Sequence, residues 1–120
     1  MGRGFKDLIV WQKAMDLVEE TYRVVKCLPR EEQYGLSNQM RRAAVSIPSN
    51  IAEGHLRNSS KEYVNFLSIA NGSNAELYTQ YQICIRLKYI SEEQSGKALG
   101  LLAEVGKMLN ALINRLTSNL

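Results

Sequence analysis

The sequence is poor in the residues that staple small folds, bind metals or span membranes. It has two cysteines, Cys27 and Cys84, far apart and outside any CxxC pair, so it shows no thiol-exchange or zinc-ribbon pattern. Both fall in apolar-periodic segments, where a reduced and buried thiol is the expected state. With a single histidine, His55, the chain cannot supply the two Glu-x-x-His motifs of di-iron helical bundles, and Glu53-Gly54-His55 has the wrong spacing. No phosphate loop or dinucleotide fingerprint occurs. The serines lack a local base that would make one a nucleophile. No cofactor is therefore expected, and no catalysis.

Long apolar runs are also missing. None approaches the roughly 18 residues that cross a bilayer. The opening segment from Met1 to Asp7 lacks the apolar core of a signal peptide, which predicts a cytoplasmic chain with no membrane partner. Gly2 is not followed by the Ser or Thr of a myristoylation signal, since Lys6 occupies that position. Charge of one sign is scarce: the net value is +3, which permits an anionic partner without demanding one. Sustained period-two alternation is absent, so no strand is predicted.

What the sequence does have is helical periodicity. At 120 residues and 45% hydrophobic, the chain can bury a core as one domain spanning 1–120. Four helices are predicted, over about 5–28, 35–54, 59–89 and 91–117. In the first, Leu8, Trp11, Met15, Val18, Tyr22 and Val25 form a heptad stripe, widened by Ile9, Leu17 and Val24. Pro29 stops it. The second carries Leu36, Met40, Ala43, Ile47 and Ile51, with Ser37 as a candidate cap, Pro48 as an internal kink and Gly54 as a C-terminal cap. In the third, Ser59 and Glu62 form a capping box ahead of Tyr63, Phe66, Ala70, Leu77, Tyr81, Cys84 and Leu87. The bulk-free Gly72-Ser73-Asn74 marks either a close helix crossing or a weak spot. In the fourth, Ser91 and Gln94 form a second capping box, followed by Ala98, Leu102, Val105, Leu109, Leu112 and Leu116.

Only short breaks separate these segments, which predicts an all-α antiparallel up-down-up-down four-helix bundle. In that arrangement the ends of helices 1 and 3 share a pole. Arg23, Lys26, Arg30, Arg86 and Lys88 would gather there, diluted by Glu31, Glu32, Glu92 and Glu93. Arg3, Lys6, Arg57, Lys61 and Arg115 would gather at the other, with Arg41 and Arg42 between. Helices 1 and 3 are diagonal in such a bundle, so Cys27 and Cys84 are expected to stay unlinked. The polar residues Gln39, Asn50, Glu53, Glu76 and Gln80 read as a solvated face or as a polar groove or subunit contact.

The order of several short motifs carries a family resemblance. Phe5-Lys6-Asp7-Leu8-Ile9-Val10-Trp11-Gln12-Lys13-Ala14 resembles the opening of the four-helix-bundle proteins encoded in 23S rRNA intervening sequences. Tyr34-Gly35-Leu36, the run from Gln39 to Ile47, Asn50-Ile51-Ala52-Glu53-Gly54 and Asn71-Gly72-Ser73-Asn74-Ala75-Glu76-Leu77 are similar too, so the likeness covers nearly the whole chain. One departure is Asn71, where the family pattern has a basic residue. The resemblance implies a bundle assembled as a cyclic homopentamer. It also implies kinship with the accessory variability protein of diversity-generating retroelements, which partners a reverse transcriptase and its RNA.

Two functional readings follow. One is an oligomer that binds nucleic acid, RNA or DNA and most naturally structured RNA, through Arg41, Arg42, Arg57, Lys61, Arg23, Lys26 and Arg30. In it, Ser59 and Ser60 leave free N–H groups at the start of helix 3, an anion site beside Arg57 and Lys61. The other is a scaffold or accessory subunit that binds a protein partner, with helices 1 and 4 offering the apolar surplus. Both share one prediction: far-UV circular dichroism is helical, and a spectrum with substantial strand content contradicts the fold.

Overall fold

A computed structural model describes residues 4–118 of the chain, so Gly2 and Arg3 lie outside the described residues. A 3-10 turn over Phe5–Asp7 leads into α1 (Ile9–Val25), and a second 3-10 turn over Arg30–Glu32 leads into α2 (Leu36–His55). Then come α3 (Ser60–Arg86) and α4 (Glu92–Thr117), and no strand occurs among the described residues. The predicted first helix is thus divided: Leu8 takes extended backbone, ψ 126°, between the 3-10 turn and α1. The body measures 45 × 22 × 20 Å. α1 packs on α2, α2 on α3, α3 on α4 and α4 on α1, while the α1–α3 and α2–α4 pairs are diagonal, their Cα atoms more than 8 Å apart.

The seam is filled by one stripe from each helix. α2 buries Met40, Ala43, Ile47 and Ile51, and α4 buries Ala98, Leu102, Val105 and Leu109, in both cases the periodic residues of the sequence. α1 is shifted by one residue from expectation. Its core track is Val10, Ala14, Leu17, Thr21 and Val24, whereas Met15 and Tyr22 are exposed. α1 is apolar on two adjacent heptad tracks, so periodicity alone cannot choose between them. Thr21 belongs to the buried one because its hydroxyl finds a partner, the Tyr81 hydroxyl at 2.9 Å, and a buried hydroxyl needs one. Burial pushes the Tyr81 phenol up to about 12 and the Cys84 thiol up to about 11. Both side chains therefore enter the core neutral. Cys27, expected to be buried, is exposed just past the end of α1, and neither cysteine is bonded to the other.

Three further readings are corrected by local geometry. Gly54 is not a terminal cap. It lies inside α2, and a Cβ there would sit 2.7 Å from the Phe66 Cβ and 3.0 Å from Tyr63 Cδ1. Ser37 does not cap α2 either, being buried in its first turn. The Glu32 carboxylate takes that role through Oε1, which accepts the Leu36 N–H at 3.1 Å. Ser59 Oγ does accept the Glu62 N–H at 3.2 Å, but only Ser91 and Gln94 complete the reciprocal capping box. Pro48 lies buried within an α2 that continues to His55.

The Gly72-Ser73-Asn74 segment is a crossing. Ser73 Oγ meets Ser46 Oγ of α2 at 2.8 Å, and Asn74 Nδ2 donates to the Leu102 carbonyl of α4 at 3.0 Å. Gly72 itself faces open space, with nothing within 4 Å of a built Cβ. The two glycines therefore respond oppositely to alanine. Gly54→Ala is expected to destabilise by about 1–3 kcal/mol through overpacking. Gly72→Ala is expected to stabilise by up to ~1 kcal/mol through helix propensity. Urea denaturation checks both, and equal effects would contradict the packing described.

Candidate nucleic-acid interface

Seven basic residues were expected to form the site, and the structure divides them. Lys26 caps the end of α1, Arg30 sits in the 3-10 turn that follows, and both are exposed. Arg41 and Arg42 are consecutive on α2 and diverge by about 100° around its axis. Arg41 turns toward α1, its guanidinium 6.0 Å from the centroid of the Tyr22 ring. Its Nη2 donates to the Gln33 carbonyl at 3.4 Å. Arg42 points outward and is exposed. Arg57 and Lys61 lie beyond the far end of α2, and the rise from Arg42 to His55 alone is ~20 Å. Lys26 and Arg30 thus lie on the α1–α2 connection, which Arg41 also contacts, and Arg57 and Lys61 form a separate group.

Two of the seven cations are already occupied. Arg23 closes a two-pronged ion pair on Glu20, its Nε donating to Oε1 at 3.2 Å and its Nη2 to Oε2. Glu20 is only 4% exposed, and a buried carboxylate needs such a partner. The hydrogen bond, then the charge of Glu20, raise the Arg23 pKa above its ordinary value. Arg57 donates to Glu53 Oε2 at 2.9 Å and lies 4.8 Å over the Phe66 ring. Lys26, Arg30, Arg42 and Lys61 have no ion-pair partner among the described residues. The α3 N-terminus is also less open than the sequence suggested. Ser59 Oγ takes the Glu62 N–H, and the Glu62 carboxylate reaches back to within 3.5 Å of that hydroxyl.

Sequence reasoning missed the aromatic partners of these cations. Tyr22, beside Arg41, and Phe66, under Arg57, both belong to the apolar stripes of the sequence, and Tyr34 figures there only within a motif. Tyr34 is 88% exposed. Its signal was its position outside every apolar stripe. Elsewhere, Asn71 donates to Asn110 Oδ1 at 3.0 Å, tying α3 to α4. Gln80 Nε2 approaches Glu76 at 3.5 Å, while the buried Gln80 Oε1 and Asn74 Oδ1 have no hydrogen-bond partner. No cluster of three or more His, Cys, Asp or Glu side chains arranged to hold a metal ion occurs among the described residues. No described helix is long and apolar enough to cross a membrane.

The fold defines a four-helix all-α protein. The chain belongs to the 23S rRNA-intervening sequence protein family, whose model matches residues 6–111. It is similar to the solved structure of a protein with unknown function from the S23 ribosomal protein family of Bacteroides thetaiotaomicron VPI-5482. That chain is 27% identical, superposes with a TM-score of 0.81, and the match covers 88% of this chain and 98% of that one. No curated protein matches.

The Glu20–Arg23 pair gives a direct test of which cations are structural. Arg23→Ala is expected to lower the melting temperature, because it strands a buried carboxylate. Adding Glu20→Gln should restore part of the loss, and Lys26→Ala should leave stability unchanged. Thermal denaturation in which Arg23→Ala and Lys26→Ala behave alike would contradict the assignment.

Proposed function

We propose that this chain is a non-enzymatic, cytoplasmic RNA-binding protein that acts as a closed homo-oligomer. Its bundle would run up-down-up-down and be repeated five-fold around a ring. The observation that carries the binding reading is the difference among its cations. Arg23 and Arg57 are held by carboxylates, while Lys26, Arg30 and Arg42 are exposed without an ion-pair partner among the described residues. Unpaired surface cations bind phosphates by releasing condensed counterions, and a ring multiplies each contact. The positive net charge, +3, and membership of a family named for an rRNA intervening sequence agree with structured RNA as the ligand.

The antiparallel reading is supported by paired positions whose numbers run in opposite senses. Met40 meets Cys84, Ser46 meets Ser73, and Gly54 faces Phe66. Between α3 and α4, Asn74 meets Leu102 and Asn71 meets Asn110. The oligomer reading is supported by apolar surface left on the single chain. Met15 and Val45 flank a groove of about 430 Å³ between α1 and α2, whose walls include Trp11, Val18 and Pro48. Ile9, Met108 and Leu112 line another of about 350 Å³ between α1 and α4. The large exposed apolar side chains lie on α1, α2, α3 and the loops, and none lies on α4. α1 is therefore the better supported of the two helices expected to make the subunit contact.

Binding of a labelled structured RNA, measured across a salt series, tests the reading. Affinity should fall as salt rises. Replacing Lys26, Arg30 and Arg42 together by Ala should flatten the slope of log affinity against log salt by roughly 0.7–0.9 for each phosphate left without a cation. Arg57→Ala should change it less, because Glu53 already neutralises that side chain. Light scattering should report a five-fold mass for both proteins. Salt-independent binding, or an unchanged slope in the triple variant, would overturn the RNA reading and leave protein partners as the alternative.

A further inference from the structure

Tyr34 is the most exposed large apolar side chain among the described residues, at 88%. It stands outside all four helices, between Gln33 and Gly35. The backbone on which it stands is held in place. The Gln33 carbonyl accepts from Arg41 Nη2 at 3.4 Å, and the Gln33 N–H donates to the Arg30 carbonyl at 3.0 Å. The same Arg41 guanidinium lies 6.0 Å from the Tyr22 ring centroid on α1, and Lys26 follows one turn beyond Tyr22. Arg41 thus joins the exposed Tyr22 ring to the segment that carries Tyr34, and Lys26 and Arg30 lie on the connection between α1 and α2.

The carboxylates around this patch are unequal. Glu32 is turned inward, Oε1 on the Leu36 N–H and Oε2 accepting the Tyr89 hydroxyl at 2.9 Å. Both of its carboxylate oxygens are thereby engaged. Glu31 is exposed and remains as the one carboxylate beside Arg30 in that turn. Lys26, Arg30 and Arg41 thus stand against one exposed carboxylate in that turn, and the side chains of Tyr22 and Tyr34 are both exposed.

That combination is suited to unpaired nucleotides. Bases in a duplex are stacked on each other and offer no face to a protein ring, whereas bases in loops and bulges do. A surface that interleaves rings with cations can stack such bases and hold the phosphates between them. We propose that the Tyr22–Tyr34 patch binds the unpaired nucleotides of a structured RNA. A base stacks on Tyr34, and Arg30, Lys26 and Arg41 hold the adjoining phosphates. The proposal rests on the RNA-binding reading and narrows it from structured RNA in general to the loops of that RNA.

The test is fluorescence anisotropy on the intact protein with two labelled RNAs of equal length, a hairpin with an open loop and a fully paired duplex, each titrated across a salt series. The wild-type protein should prefer the hairpin. Tyr34→Ala should weaken hairpin binding about tenfold, leave duplex binding where it was and leave the salt slope unchanged, since no charge is removed. Tyr34→Phe keeps the ring face and should bind as the wild type does. A Tyr34→Ala protein that binds the hairpin normally, or loses hairpin and duplex equally, overturns the stacking proposal while the RNA reading stands. A wild-type protein that binds neither RNA overturns both.

Discussion

The architecture depends on how closely α2 can approach α3. At Gly54 there is no room for even a methyl group, because Phe66 and Tyr63 of α3 already occupy the space. One end of the helix pair is thus set by contact with bare backbone. Further along, the small hydroxyls of Ser46 and Ser73 bridge the same pair at 2.8 Å, and Met40 and Cys84 meet in the core beyond them. With α3 placed, Asn74 reaches the Leu102 carbonyl across to α4, and Gly106 leaves space for that amide, a Cβ there lying 3.2 Å from Nδ2. The crossings use small or hydrogen-bonded residues, while bulky aliphatic side chains fill the layers between them, as close packing requires.

A second constraint acts at the end of the bundle that carries Lys26, Arg30 and Arg41. Glu32 binds the first N–H of α2 with one oxygen and the hydroxyl of Tyr89, in the α3–α4 connection, with the other. One side chain therefore ties two loops together. The hydrogen bond to Glu32, more than any other influence, raises the Tyr89 phenol above its ordinary range. Gly35 fits beside this arrangement because a Cβ there would lie 2.9 Å from Glu32 Oε1. The turn that holds Tyr34 outward is therefore a product of capping chemistry in the interior. The far end is organised by different contacts, Arg57 over Phe66 and His55 edge-on to Tyr63 at 5.7 Å. Those contacts occupy its aromatic faces locally.

Helix number, order and most boundaries were legible in the sequence because heptad spacing, two serine caps and Pro29 are local signals. The α1 register was not legible. Leu8, Trp11, Met15, Val18 and Tyr22 satisfy the heptad as well as Val10, Ala14, Leu17, Thr21 and Val24, and Thr21 is preferred for a partner, Tyr81, that only the folded chain brings near. Gly54 looked like a cap because glycine near a helix end usually is one, and its enclosure by α3 depends on tertiary contact. The candidate site was legible as a list of cations but not as a site. Nothing local marks Arg23 as the partner of a buried Glu20 or Arg57 as the partner of Glu53, since both pairs are ordinary helical spacings. Tyr34 gave no periodic signal, and it joins the basic residues only because Arg41 reaches back to Gln33.

The central claim is that one end of the α1–α2 face contacts RNA. Ultraviolet crosslinking of the intact protein to a structured RNA, followed by mass spectrometry of the crosslinked peptides, tests it most directly. Nucleotide adducts are expected to concentrate on the peptides that contain Tyr22 and Tyr34. Adducts confined to the α3 and α4 peptides, or an absence of adducts under conditions where a known RNA-binding protein crosslinks, would contradict it.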